Sequence, residues 1–241
     1  MTHHPNSATT TVDNVWVPDG GIFIRCARMN MDSGSLISLT NNGYLGGDTF
    51  QVFAPLNGCG PGGSIYKTSA TVQAGAGYGG RGGKAQSSTT NYVGLPYGSK
   101  EEPAEPGSGG AATIWSDQDH PGGIGGGYVR IDAYEMLTIN GTINANGQSI
   151  LASKYGGPGS GGGIMIRTQT IEGSGILTAE GGQGGHSGNS GGAGGGRIAI
   201  RCQFNHFSGT CSVGGGTGYE NGEPGTIYWR IQGPGSVFTL F

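Results

Sequence analysis

Alternating apolar and polar residues recur along the chain in short runs that begin just after a glycine. Aligning these runs on glycines 20, 127, 162, 196 and 225 places mostly apolar residues at the second, fourth and sixth positions after the glycine. A period of two residues is typical of a β-strand with one buried face. We therefore predict three inward columns, which are Ile22, Val129, Ile164, Ile198 and Ile227; Ile24, Ile131, Ile166, Ile200 and Trp229; and Cys26, Ala133, Thr168, Cys202 and Ile231.

A second, shorter strand is predicted after each of these runs. The intervals between the last four aligned glycines are 35, 34 and 29 residues, so each unit holds two strands and a glycine-rich loop. Units of this kind bury their apolar faces by stacking on one another. The sequence therefore predicts an all-β fold of the parallel β-helix or solenoid type. The second strands supply a column of Leu36, Val72, Ile143, Leu177, Cys211 and Val237, and a smaller one of Ser38, Ala74, Ala145, Ala179, Val213 and Thr239.

Glycine contributes 55 and proline 11 of the 241 residues, a range in which low-complexity disorder is an alternative to a packed fold. The alternating apolar runs argue against disorder. The tracts at 79–84, 156–163 and 181–196 have two interpretations. They are either flexible surface loops or ordered, polyglycine-II-like backbone, in which chains without Cβ atoms approach closely and bond amide to carbonyl.

We divide the chain into a flexible N-terminal arm at 1–16 and a single domain at 17–241, with a long excursion from the repeat at about 75–120. Within the excursion only 113–115 resembles a strand. Long connections are usually functional or mobile. The excursion is therefore a solvated loop or an exposed contact loop for a glycan or partner, with the aromatic candidates Tyr78, Tyr92 and Tyr97.

Charged residues make up 11% of the chain, the net charge is −3, and no run of lysines or arginines occurs. This composition argues against nucleic-acid binding. No apolar stretch has the length of a membrane span. The N-terminal residues lack the pattern of a signal peptide, so we expect a mature chain, a fragment, or another route to the surface.

Acid–base work on a sugar needs two carboxylates about 5–10 Å apart, and the repeat register brings together no such pair. The stretch from Asp117 to Asp119 lacks the spacing of a calcium loop. We therefore predict no catalytic residue, no cofactor and no metal site. The four cysteines lack zinc-type spacing, and they are either buried thiols or include a bridge between Cys202 and Cys211, which an oxidising compartment would permit.

The C-terminus resembles a further strand of the stack, with no repeat after it. An open stack has unpaired edges that can join another subunit. We therefore predict self-association, or docking in a larger assembly, through an edge formed by Val237, Phe238, Leu240 and Phe241.

The order of motifs over about 62–202 resembles a glycine-rich repeat module of large secreted or surface proteins. The resemblance rests on GYGGRGG at 77–83, LPYGSKEEPAEPGSGG at 95–110, GSGGGIMI from 159 and GGAGGGRIAIRC at 191–202. It implies a right-handed parallel β-helix of the pectin-lyase type and an extracellular or cell-surface setting, and it carries over no catalytic residue. Because the chain departs from the module in its short length and in lacking an export signal, a virion surface stays open as the setting. We expect a non-catalytic structural or adhesive protein that binds a partner or glycan. The alternative is a polysaccharide-acting lyase or glycoside hydrolase.

Overall fold

A computed structural model describes residues 1–7, 11–13, 15–48, 56–68, 70–86, 88–115 and 118–233. Strands are the main regular elements there, and helix is confined to 3-10 turns at Thr90–Tyr92 and His186–Gly188. The strands are β1 (Ile22–Met31), β2 (Leu36–Ser38), β3 (Thr113–Trp115), β4 (Gln118–His120), β5 (Tyr128–Ile139), β6 (Thr142–Asn144), β7 (Gly163–Gly173), β8 (Ile176–Thr178), β9 (Arg197–Cys202), β10 (Phe204–Phe207), β11 (Thr210–Ser212) and β12 (Thr226–Ile231).

The longer strands form one parallel sheet in the order β1-β5-β7-β9-β12, with β10 also paired to β7. The register confirms the predicted columns, since Ile131 lies between Ile24 and Ile166, and Ile200 between Ile166 and Trp229. Ile131, Ile166 and Ile200 are each 0% exposed. Full burial of such side chains is the largest favourable term in the fold, at about 1.5–3 kcal/mol each.

The short strands form a second parallel sheet in the order β11-β8-β6-β2. Its inward column holds Ile37, not the predicted Leu36, because Ile37 pairs with Ile143 and is 3% exposed while Leu36 is 52% exposed. A slip of one residue moves a side chain to the opposite face. The following small column is corrected in the same way and contains Leu39, Ala145, Ala179 and Val213.

Four further predicted members of these columns do not belong to the second sheet as described. Val72 and Ala74 are buried, but they lie outside any strand. Val237 and Thr239 lie outside the described residues. Side chains from both sheets form one apolar core, which contains the isoleucine columns, Leu137, Leu177 and Cys202.

Beside the sheets, glycine-rich segments pack against one another without forming strands. We call these segments the glycine lattice: 43–47, 56–64, 73–83, 106–112, 121–127, 145–148, 156–162, 179–184, 190–196 and 213–225. Residues three apart in segment 106–112 bond to the same neighbour, whereas successive residues bond to different neighbours. Gly107 and Gly110 donate to the carbonyls of Gly126 and Gly123, Gly109 and Ala112 donate to those of Cys59 and Leu56, and the carbonyls of Ser108 and Ala111 accept from Ser160 and Gly157.

This spacing of three corresponds to an extended backbone with three residues per turn. A β-strand offers hydrogen bonds to two sides, whereas segment 106–112 bonds to segments on more than two. The same spacing recurs in segment 190–196, where Gly192 and Gly195 donate to the carbonyls of Glu220 and Glu223. The lattice therefore satisfies its backbone polar groups without a sheet.

Close approach of neighbouring backbones makes glycine necessary at these positions. A Cβ atom added at Gly110 would lie 1.9 Å from the carbonyl oxygen of Gly157, and one added at Gly122 would lie 1.8 Å from that of Gly110. Neither distance leaves room for a methyl group. Two parts of the 75–120 excursion, residues 75–83 and 106–112, belong to this lattice, and Ala76, Tyr78 and Ala111 in these parts are each 0% exposed. The expectation of a solvated or exposed loop is therefore wrong for these two parts, whereas residues 98–102 between them are exposed.

The excursion ends in β3 and β4, an antiparallel pair whose first strand coincides with the predicted 113–115. At the other end of the chain, residues 1–7 contact the body. The Met1 amine donates to the carbonyl of Leu36, and the carbonyl of Met1 accepts from the amide of Ser38, both at 2.9 Å. The flexibility of the 1–16 arm stays a prediction. Among the described residues, no helix is long and apolar enough to cross a membrane.

Two glycines of one tract test the lattice. A Cβ at Gly216 would lie 1.8 Å from the carbonyl oxygen of Gly182, whereas one at Gly214 would meet nothing within 4 Å. We expect Gly216→Ala to lower the free energy of unfolding by about 1–3 kcal/mol through overpacking. The matched change Gly214→Ala should stay within about 0.5 kcal/mol of the parent. Denaturant unfolding followed by circular dichroism measures both, and equal losses would contradict the close packing described.

Candidate functional site

The outward face of the long sheet carries an aligned column of charged side chains. Alternation along each strand turns these residues away from the core, and the parallel register places them side by side. The column consists of Arg25, Asp132, Arg167, Arg201 and Arg230. The neighbouring outward column consists of Phe23, Arg130, Met165, Ala199 and Tyr228.

Basic residues are concentrated on this face. The chain has 12 lysines and arginines, and besides Arg28, which follows an irregularity in β1, six of them lie on these strands with outward side chains. They are Arg25, Arg130, Arg167, Arg197, Arg201 and Arg230. Because the net charge of the chain is negative, this concentration of arginines makes the sheet face more positive than the rest of the surface.

Asp132 is the acid within the charged column, and its side chain is only 5% exposed. Its carboxylate accepts hydrogen bonds from Arg130 Nε at 3.0 Å to both oxygens, and Arg130 Nη2 lies 3.0 Å from Oδ2. Arg25 Nη2 lies further away, at 3.8 Å. The hydrogen bond to Asp132 is the main cause of the raised pKa of Arg130. Asp132 therefore pairs mainly with Arg130 and neutralises the charge of Arg25 only in part.

An acidic loop, which we define as residues 95–106, covers the middle of the column. Glu102 Oε1 lies 2.9 Å from Arg167 Nη2 and 2.7 Å from Arg201 Nη1. The backbone carbonyl of Glu101 accepts a hydrogen bond from Arg201 at 3.3 Å. The acidic loop thus neutralises Arg167 and Arg201 and leaves the two ends of the column uncovered.

Arg197 lies between β9 and the acidic loop, holds the loop against the sheet, and is 6% exposed. Its guanidinium donates to the carbonyl of Tyr97 at 2.7 and 3.0 Å, to that of Tyr78 at 3.3 Å, and to Thr226 Oγ1 at 3.0 Å. It also lies over the Tyr78 ring, 5.4 Å from the centroid. Burial raises the pKa of Glu105, an effect that Arg197 opposes.

The three tyrosines predicted as contact residues have different environments. Tyr78 and Tyr97 are brought together with ring centroids 4.6 Å apart, but Tyr78 is 0% exposed and cannot touch a ligand. Burial raises the pKa of both phenols. Tyr92 lies apart from them and packs under Lys67, whose Nζ is 5.7 Å from the ring centroid. Tyr78 is therefore too buried to be a contact residue, whereas ligand contact by Tyr92 and Tyr97, which are partly exposed, stays a prediction.

The remaining candidate residues are the cysteines and the predicted C-terminal edge. All four cysteines are free thiols, so Cys202 and Cys211 are not bonded to each other. Burial raises the pKa of Cys202 and raises that of Cys211 to about 11. Within the described residues, no group of three histidine, cysteine or acidic side chains could hold a metal. The predicted assembly edge of Val237, Phe238, Leu240 and Phe241 lies outside the described residues, as does Asp117.

The charged column was not recognised from the sequence, although the alignment of the repeats on their glycines contains it. It occupies the fifth position after each aligned glycine, the outward position between two inward columns. The absence of consecutive basic residues concealed it, because strands from distant parts of the chain bring the arginines together.

In comparisons with known proteins, no family model, curated protein or solved structure matches the chain. The resemblance to surface repeat modules therefore stays a prediction. The candidate site is a basic sheet face that an acidic loop partly neutralises.

Replacement of Arg197 tests how the acidic loop is held. We expect Arg197→Gln to lower the free energy of unfolding by about 1–3 kcal/mol, because it leaves buried carbonyls without a donor. The loop should also loosen, so trypsin should cut faster after the exposed Lys100. Arg28→Gln is the control, since Arg28 pairs with Glu135 and both side chains are exposed. Fragment masses and unfolding curves give both readouts, and unchanged cleavage would contradict the anchoring role.

Proposed function

We propose that this protein is a non-catalytic structural or adhesive module, a right-handed parallel β-solenoid with polyglycine-II-like packing beside its sheets. It serves as a scaffold or as a subunit of a larger fibre or surface assembly outside the cell or on a virion. In that setting it binds a partner protein or glycan. The observation that carries this proposal is the stacking of equivalent side chains from successive repeats over a hydrogen-bonded glycine lattice.

Rigidity supports the scaffold role. The parallel sheets join successive layers through hydrogen bonds and apolar columns, and the lattice joins segments far apart in sequence. Gly79, for example, donates to the carbonyl of Gly195, and Gly161 donates to that of Gly194. A body crosslinked in this way resists local opening, because opening one segment exposes backbone groups of several others.

The two ends of the stack support association through the later end. In the first layer Ile22, the equivalent of Ile227, is 7% exposed, and Ile24 and Cys26 are partly buried. In the last described layer, Ile227 is 41% and Ile231 is 58% exposed, although their equivalents in the preceding strand are fully buried. Apolar surface of this kind gains free energy when a second copy or partner covers it.

A polysaccharide-acting enzyme is the second candidate, because Asp132 lies between two arginines on the outer face of a parallel sheet. Hydrolysis by two carboxylates needs a second acid about 5–10 Å away. Glu101 and Glu102 lie on the same face, but both are paired with arginines. The ion pairs favour a structural role for these acids.

Assembly through the stack end is tested by two matched changes. We expect the parent chain to associate as its concentration rises, and Ile231→Glu to abolish this association by placing a charge on the exposed layer. Leu151→Glu is the control, because Leu151 is a 71% exposed apolar residue on a loop away from that layer. Sedimentation velocity of the full chain over a concentration series measures the effect.

Loss of association in both variants, or in neither, would contradict docking through this end. The same preparations should release no reducing ends from acidic or neutral polysaccharides. Product release that disappears in Asp132→Asn would instead support the enzyme.

A further inference from the structure

An open depression of about 280 Å³ lies on the outer face of the long sheet, at its β1 edge. It is beyond the acidic loop's ion pairs, which involve β7 and β9. It is lined by one acidic residue, two arginines, one exposed aromatic residue and Ile24 between them on the strand: Phe23, Ile24, Arg25, Arg130 and Asp132. This combination differs from the rest of the charged column.

The depression has an excess of positive charge. The single carboxylate of Asp132 lies near two guanidinium groups, and its closest contacts are with that of Arg130. Arg25 is 59% exposed and lies 3.8 Å from the carboxylate, so most of its donors point to water. Arg167 and Arg201 differ because Glu102 contacts both of them at 2.9 Å or less. An anion at Arg25 would therefore meet available donors.

An exposed aromatic ring lies beside this charge. Phe23 is 73% exposed and contacts Tyr128 edge-on, with ring centroids 5.7 Å apart. The contact holds the ring on the surface, where it offers an apolar face. A sugar ring has an apolar C–H face that fits such a platform, and an acidic sugar adds a carboxylate or sulfate for a guanidinium.

We propose that this depression binds one acidic sugar unit of an anionic polysaccharide, with the sugar face on Phe23 and the anionic group on Arg25, assisted by Arg130. The inference rests on the proposed adhesive function and deepens it by naming the ligand class. A single shallow site binds weakly, and association of several copies on one polymer supplies the avidity that adhesion needs.

Binding is tested with the full chain in solution. Polygalacturonate and dextran sulfate probe carboxylated and sulfated polymers, and unmodified dextran is the neutral comparison. We expect retention on at least one acidic polymer, none on dextran, and weakening as salt rises. Arg25→Gln should weaken binding roughly tenfold, the effect of losing a charged hydrogen bond. Phe23→Ala should also weaken it, while Arg28→Gln, on the same strand, should leave it unchanged.

Several outcomes would overturn the site. Equal losses in Arg25→Gln and Arg28→Gln would mean that net charge alone drives retention. Binding to dextran as strong as to the acidic polymers, or stronger binding to polyglutamate, would assign the depression to another ligand. No binding to either acidic polymer, with concentration-dependent assembly intact, would overturn this site and leave the scaffold proposal standing. Unfolding curves of both Phe23→Ala and Arg25→Gln ensure that lost binding does not reflect lost fold.

Discussion

Backbone hydrogen bonds between glycine-rich segments are the constraint on which the architecture depends. In segment 106–112, donors and acceptors turn to a new neighbour at each residue and return to the first neighbour after three. The arrangement brings the segments so close together that only glycine, whose side chain is a hydrogen atom, fits at many positions. Elsewhere in proteins, glycine lowers order because it loses the most entropy on folding. Here dense hydrogen bonding offsets that loss, and glycine becomes the residue that permits order.

The lattice also determines where the functional surface can be. It occupies one side of the stacked strands and buries Tyr78 and Ser108. Arg197 bridges the two parts, because it belongs to β9 and donates to carbonyls of the excursion. The acidic loop is thereby held over the basic column of the sheet. The outer face combines a neutralised centre with open ends, and the open end at β1 carries both an exposed ring and an available guanidinium.

Sequence reasoning was successful where side chains alternate in polarity. The columns through Ile131, Ile166 and Ile200 follow from a period of two, since only one strand face can enter the core. The predicted inward residue of β2 was wrong by one position, Leu36 in place of Ile37, because both residues are apolar and polarity does not distinguish them. For the glycine tracts the sequence left flexible loops and ordered, polyglycine-II-like backbone both open, because glycines carry no contrast in polarity that would distinguish them. The charged column was hidden for another reason: its arginines are 29 or more residues apart along the chain and meet only through the register.

Amide hydrogen exchange of the native full-length chain tests the central claim most directly. If the lattice is ordered as described, the amides of Gly110, Gly123 and Gly194, which all donate to lattice carbonyls, should exchange about as slowly as the amide of Ile166 in the core of the sheet. Exchange of these glycine amides at the rate of open loops, with Ile166 still protected, would contradict the account and reduce the tracts to flexible connections between strands.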